Sequence, residues 1–225
     1  MLAAMATWDA AAGVWVGDRA AASTLEVPNP LWIFGYGSLC WKSDFPSETQ
    51  FVGSVNGWGR FFAQRSTDHR GTPEAPGLVA TLLKDVELEA LGIRSASEPP
   101  SRTCGVCYLV GEKDVKAVLD ALDFREKGGY TREIIEVFPQ QLPTAGVAEP
   151  PQPVRALLYS ATSENPGFDP DALHDVPRAA ATIGAAHGPS GPNREYLERL
   201  AHWLQEVDER DEHVEQLMSL LPAAR

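Results

Sequence analysis

Four consecutive large apolar residues, Leu31-Trp32-Ile33-Phe34, end abruptly at Gly35-Tyr36-Gly37-Ser38. An apolar run of this length without polar alternation reads as a buried strand. Two glycines directly after it permit a tight backbone path that residues with a Cβ would resist. Successive backbone N–H groups in such a turn can converge on an anion. The segment can therefore cradle a substrate carboxylate or a developing oxyanion; the alternative is a plain strand-ending turn. No Gly-Lys-Ser/Thr follows, so it is not a P-loop.

Further strands are expected at 51–64, 78–83, 104–110, 132–138 and 154–159. Gly53, Gly57 and Gly59 mark bends in the first of these. Residues 66–77 read as a polar loop, 87–102 as a surface excursion and 140–153 as a long proline-rich loop. Val115, Val118, Leu119 and Leu122 recur at helical spacing, with Asp114 as N-cap and Gly128-Gly129 as a stop. Past Pro166 the pattern turns helical. Asp175-Val176-Pro177 opens one helix, Leu197, Leu200, Leu204 and Val207 line a second, and Val214, Leu217, Met218 and Leu221 a third. Strands first and helices later predict an α+β domain. A chain of 225 residues fits one large domain or two small ones. With no linker-like stretch between 31 and 221, the expectation is a single domain over 31–225, preceded by an N-terminal extension over 1–30, partly ordered at best.

Net charge bears on partners. At −12, with no basic run, the chain lacks the cationic face that nucleic acid or an anionic membrane surface requires. No uncharged apolar stretch approaches the ~18–20 residues of a membrane span. The first 30 residues lack a basic n-region and contain Asp9, Asp18 and Glu26, unlike a signal or transit peptide. Three cysteines cannot all pair. A reduced, cytoplasmic protein is expected.

Four further motifs could carry chemistry. In Asp123-Phe124-Arg125-Glu126-Lys127-Gly128-Gly129-Tyr130, a carboxylate stands between aromatics beside two glycines. A Glu near apolar rings has a raised pKa and can serve as a general base at neutral pH; the alternative is a solvated helix end. Ser66-Thr67-Asp68-His69-Arg70-Gly71 contains the residue types of a triad, but as sequence neighbours. A loop stiffened by its own hydrogen bonds and lining a pocket is the better reading. Cys104 and Cys107 lie in a strand pattern, where i and i+3 face opposite ways, so a redox pair is not expected. The histidines His174, His187, His202 and His213 form no metal pattern. Gly188-Pro189-Ser190-Gly191-Pro192-Asn193 precedes a helix, and Asn193 or Ser190 could cap it.

Together these segments resemble the glutathione-specific branch of the ChaC-like γ-glutamylcyclotransferases. The matching stretches are WIFGYGSLCWKSDFP at 32–46, QRSTDHRGTPEAPG at 64–77, LDFREKGGYTRE at 122–133 and GPSGPNREYL at 188–197, in the family's order. The resemblance implies a mixed, barrel-like sheet with flanking helices. It further implies release of 5-oxoproline and Cys-Gly from glutathione, without cofactor. That chemistry requires no metal, and a monomer is expected. On that pattern Glu126 is the catalytic proton acceptor. The substrate-binding set is Ile33, Phe34, Gly35, Tyr36, Gly37, Ser38, Leu39, Tyr130 and Arg65. An anionic substrate entering an acidic protein needs local cations, for which Arg60, Arg65, Arg70 and Arg132 are unranked candidates. Residues 1–30 have no counterpart in the family core. The 85–103 and 140–153 segments look longer than usual, and the Cys104/Cys107 strand more thiol-rich.

Overall fold

The computed structural model describes residues 7–9, 11, 14–16, 25–126, 128–140 and 152–222. Its elements in chain order are β1 (Thr7–Asp9), β2 (Val14–Val16), β3 (Leu31–Gly35), β4 (Thr49–Asn56), β5 (Trp58–Ser66), β6 (Gly77–Lys84), α1 (Asp85–Ala90), β7 (Arg102–Val110), α2 (Val115–Arg125), β8 (Thr131–Pro139), β9 (Val154–Ser160), α3 (Asp171–His174), α4 (Val176–Ala185), β10 (His187–Gly188), β11 (Gly191–Pro192), α5 (Asn193–Glu206) and α6 (Glu212–Leu220). The fold is α+β. Five strands close a barrel in the order β3-β7-β4-β8-β9, with β9 returning parallel to β3, where Trp32 meets Ala156 and Ile33 meets Leu157. Closure leaves no open strand edge in that sheet.

Both faces of β3 are covered, which is why its sequence is continuously apolar. Leu31 and Ile33 pack with Val110, Leu157 and Tyr159 beneath Val118 and Leu122 of α2. Phe34 enters a larger core shared with the β5–β6 hairpin and the C-terminal helices, among them Phe62, Leu82, Ile183, Leu197 and Leu217. That hairpin and its helices form the second wall of the cavity described below. Among the described residues no helix is long and apolar enough to cross a membrane.

Several expectations change. The stretch 51–64 is two strands, broken at Gly57, whose φ of +79° favours glycine. β4 joins the barrel while β5 pairs with β6. The 87–102 excursion begins inside α1, whose first turn is closed by Glu87 accepting from the Lys84 N–H at 2.9 Å. Asp114 makes no side-chain cap, whereas Asp175 caps α4 through Arg178 N–H. Asn193 caps nothing. Fully buried, it bridges to β6, accepting from Leu78 N–H at 2.7 Å and donating to Leu78 C=O at 2.8 Å. Within residues 1–30, β1 and β2 pair as an antiparallel hairpin. Nearly all of the expected 140–153 loop lies outside the described residues.

Arg60 is wholly buried. Its guanidinium donates to Asp211 at 3.1 Å and to the Cys104 carbonyl. Asp211 in turn accepts from Val214 N–H at 3.1 Å and so caps α6. His213, in the first turn of α6, accepts the Phe62 N–H at 3.0 Å. These contacts tie α6 to β5 and β7. The three cysteines are free and buried, and burial pushes the Cys40 and Cys104 thiols up to about 12.

Candidate active site

The tight turn after β3 needs its glycines for close approach. A Cβ on Gly35 would lie 2.4 Å from Cβ of Leu39, and one on Gly37 would lie 2.4 Å from the Tyr196 hydroxyl. Ser38–Cys40 then forms a short 3-10 turn.

Residues 66–77 curl back on themselves. Ser66 Oγ accepts from Arg70 N–H at 3.0 Å, and Asp68 pairs with His69 Nδ1 at 2.7 Å. Ser190 N–H donates to the His69 carbonyl at 2.9 Å, and Arg70 donates to Pro192 C=O at 3.0 Å and to Glu195 at 3.3 Å. The loop is therefore stiffened and held against β10–β11. Its Ser, Asp and His form no catalytic relay, since the His69 partner is its own neighbour.

Helix α2 ends at Arg125, and Glu126 occupies its C-cap with its N–H on Leu122 C=O at 2.8 Å. Gly129, at φ +80°, turns the chain toward β8. Asn165 braces that turn, donating to Gly128 C=O at 2.9 Å and Gly129 C=O at 3.0 Å. Arg125 reaches across to Ser38 Oγ at 3.1 Å and Asp44 at 3.2 Å, clasping the end of α2 to the glycine turn.

These segments enclose a cavity of about 610 Å³, within the range that small-molecule sites occupy. It is lined by all of Ile33 through Leu39, by Gln64 through Arg70, by Arg125, Glu126 and Tyr130, and by Ser190 and Tyr196. Every residue of the expected catalytic and substrate-binding set lies on this wall. Two of the four candidate cations do not. Arg60 is locked to Asp211, and Arg132 donates to Asp123 and lies over the Tyr159 ring. Phe124 is 56% exposed and does not line the cavity; Tyr36, Tyr130 and Tyr196 do. Arg125, Lys42 and Gln64 are cavity residues that sequence reasoning passes over. For Arg125 the signal is present, because it adjoins Glu126 within the same motif.

Burial raises the Glu126 carboxyl above the usual range. Arg125 and His69 act against that rise, and Asp68 adds to it. Among the described residues no hydrogen bond reaches its carboxylate oxygens. Burial also lifts Tyr36 and Tyr130 well above the usual phenol value, and the Glu126 charge adds to both. The hydrogen bond that His69 donates to Asp68 is the main cause that raises His69. A desolvated carboxylate without a fixed partner, ringed by hydroxyls and cations, can accept a proton from a bound amine.

Known proteins resemble this chain over most of its length. A family profile described as ChaC-like protein matches residues 31–223. Glutathione-specific gamma-glutamylcyclotransferase 1 of Rattus norvegicus is 40% identical over 205 residues, covering 88% of this chain and 82% of the rat protein. Glutathione-specific gamma-glutamylcyclotransferase of Schizosaccharomyces pombe is 33% identical over 196 residues, covering 86% of this chain and 93% of that protein. Among solved structures, a γ-glutamyl cyclotransferase specific to glutathione from yeast matches with a TM-score of 0.71 at 28% identity, over 87% of this chain and 98% of that one.

Proposed function

The chain belongs to the ChaC-like protein family and has the γ-glutamyl cyclotransferase fold, and from that footing we propose that it cleaves glutathione to 5-oxoproline and cysteinyl-glycine, with Glu126 as proton acceptor. The observation that carries this reading is the setting of Glu126. Four motifs far apart in sequence line one cavity around a half-buried carboxylate that has no hydrogen-bond partner among the described residues.

Residues Ile33 to Leu39 hold the γ-glutamyl end, with Arg125 behind Ser38. Glu126 takes a proton from the substrate α-ammonium. The freed amine attacks its own γ-carbonyl, so that a nitrogen–carbon bond closes the five-membered ring. The bond to the cysteine nitrogen breaks, and that nitrogen leaves with the proton returned from Glu126, which then takes the second proton from the ring nitrogen to leave the lactam N–H. No water is consumed. Because the reaction is intramolecular, holding the folded conformer supplies much of the rate.

The glycyl carboxylate meets Arg65. Arg70 is committed to Pro192 and Glu195, and Arg125 to Ser38 and Asp44. Arg65 touches Asp169 only at 3.6 Å, while Arg178 holds Asp169 at 2.8 Å. The terminal nitrogens of Arg65 have no hydrogen-bond partner among the described residues, and its side chain is 44% exposed. In this reading no cofactor or metal takes part, and the protein works as a cytoplasmic monomer; buried free thiols suit a reducing compartment. Incubating the purified protein with glutathione and assaying 5-oxoproline tests the reading, and absence of the product would reject it.

A further inference from the structure

Gln64 lines the cavity at 2% exposure, and its side-chain oxygen has no hydrogen-bond partner. The rest of the amide is accounted for. Its nitrogen donates to Asn165 Oδ1 at 3.3 Å. The orientation of Asn165 is fixed independently, because its nitrogen donates to Gly128 and Gly129 carbonyls and its oxygen accepts the Gly167 N–H at 2.7 Å. Only the NH₂ of Gln64 can face that oxygen, so its carbonyl occupies the other branch of the amide. A β-bulge between Phe62 and Gln64 shifts the register with β6, and Gln64 and Arg65 beyond it both line the cavity. A buried acceptor left open destabilises the folded chain. An orphan in a cavity wall points to a ligand N–H.

We infer that Gln64 is a substrate-positioning contact, its side-chain oxygen accepting a hydrogen bond from the α-amino group of the γ-glutamyl moiety. This rests on the reading above and names the partner of that site's amine. The chain Gln64–Asn165–Gly128/Gly129 ends two residues from Glu126, so the amide and the proton acceptor belong to one braced unit. A neutral acceptor suits the task. It fixes one N–H and aims the nitrogen lone pair at the γ-carbonyl. A second carboxylate there would hold the amine as ammonium and oppose proton loss.

The test compares glutathione with glutaryl-cysteinyl-glycine, the same molecule without the α-amine, used as a competitive inhibitor. For Gln64→Met, kcat/KM for glutathione should fall about ten- to a hundredfold. The Ki of glutaryl-cysteinyl-glycine should stay within twofold, and the Tm should not drop. An equal loss for both ligands, or no loss for either, overturns the contact. Gln64→Glu keeps the shape and the cavity-facing acceptor, though it loses the N–H donated to Asn165. It should leave KM no higher than in the wild type and lower kcat at least tenfold; a raised KM with kcat retained overturns the proposal. If the wild type forms no 5-oxoproline, the cyclotransferase reading fails. Calorimetric binding of the two ligands to wild type and Gln64→Met then still decides the contact, by the same selective loss.

Discussion

Arg60 is a charged group taken wholly out of water and Glu126 one taken partly out of it, and they are treated in opposite ways. Arg60 is held by Asp211 and the Cys104 carbonyl, with Asp211 itself capping α6. Glu126 receives no hydrogen bond among the described residues, and burial leaves its carboxyl raised. A buried charge that is paired fixes one packing of helix on barrel. One left unpaired keeps a proton affinity that a substrate can use. The difference separates a structural end of the molecule from a chemical one, and each can be disturbed alone.

The largest effect should come from Glu126→Gln. It keeps the shape but cannot take the amine proton, so 5-oxoproline release should fall about 10²- to 10⁴-fold. Stability should move the other way. A carboxyl whose folded pKa is raised binds more protons folded than unfolded, so folding is penalised once pH rises past the unfolded value. Replacing it by a neutral amide should leave Tm at pH 7 equal or higher. A normal turnover would remove Glu126 from the chemistry.

Asp211→Ala is the reverse experiment. It strands the Arg60 guanidinium and removes the α6 cap, which should cost about 3–5 kcal/mol in urea melts. Per folded molecule, kcat should be near that of the wild type. Loss of kcat in a protein of unchanged stability would show that the two ends are coupled.

His213 gives the pH dependence of the structural end. Burial lowers its pKa from 6.5 to about 4, so the folded state keeps the imidazole neutral. The unfolded chain therefore binds the proton first. The contribution is complete above pH 6.5 and is lost as pH falls toward 4, on the order of 3 kcal/mol in all. His213→Gln retains an acceptor for the Phe62 N–H and should flatten this part of the stability–pH curve. An unchanged slope would mean the imidazole is already protonated in the fold.

How much of this was legible in the sequence follows from the range of each interaction. The glycine turn, the loop 66–77 and the segment around Glu126 are local patterns, and each lines the cavity. Gly57 reads as a bend but not as a strand end, because similar apolar composition continues on both sides. Arg60 and Arg65 are indistinguishable by residue type; what separates them is Asp211, 151 positions from Arg60. Asn193 looks like a helix cap, yet its partner is Leu78 on β6. Asp123, three positions from Glu126 in the same motif, lies off the cavity and receives Arg132 and the Tyr159 hydroxyl. Pairings between distant segments have no sequence signature.

The smallest expected effect concerns Arg65, which sits between the two behaviours. It has a carboxylate neighbour, but Asp169 is better served by Arg178, so the guanidinium is anchored without being saturated. Its exposure limits what a charge pair can contribute there, because water screens the attraction. Glutathione should therefore exceed its glycinamide analogue by only about three- to tenfold in kcat/KM, the analogue having the same length and no terminal charge. Arg65→Gln should erase that preference by lowering the value for glutathione alone. Tm should hold, since Asp169 keeps Arg178. The comparison is sensitive because both substrates present the same γ-glutamyl group to Ile33–Leu39 and Glu126, so any change in the ratio arises at the distal end. Equal losses on both substrates would move Arg65 to the γ-glutamyl end. An unaltered ratio, with the preference intact, would pass the glycyl carboxylate to Lys42, the exposed lysine among the described residues of the cavity wall.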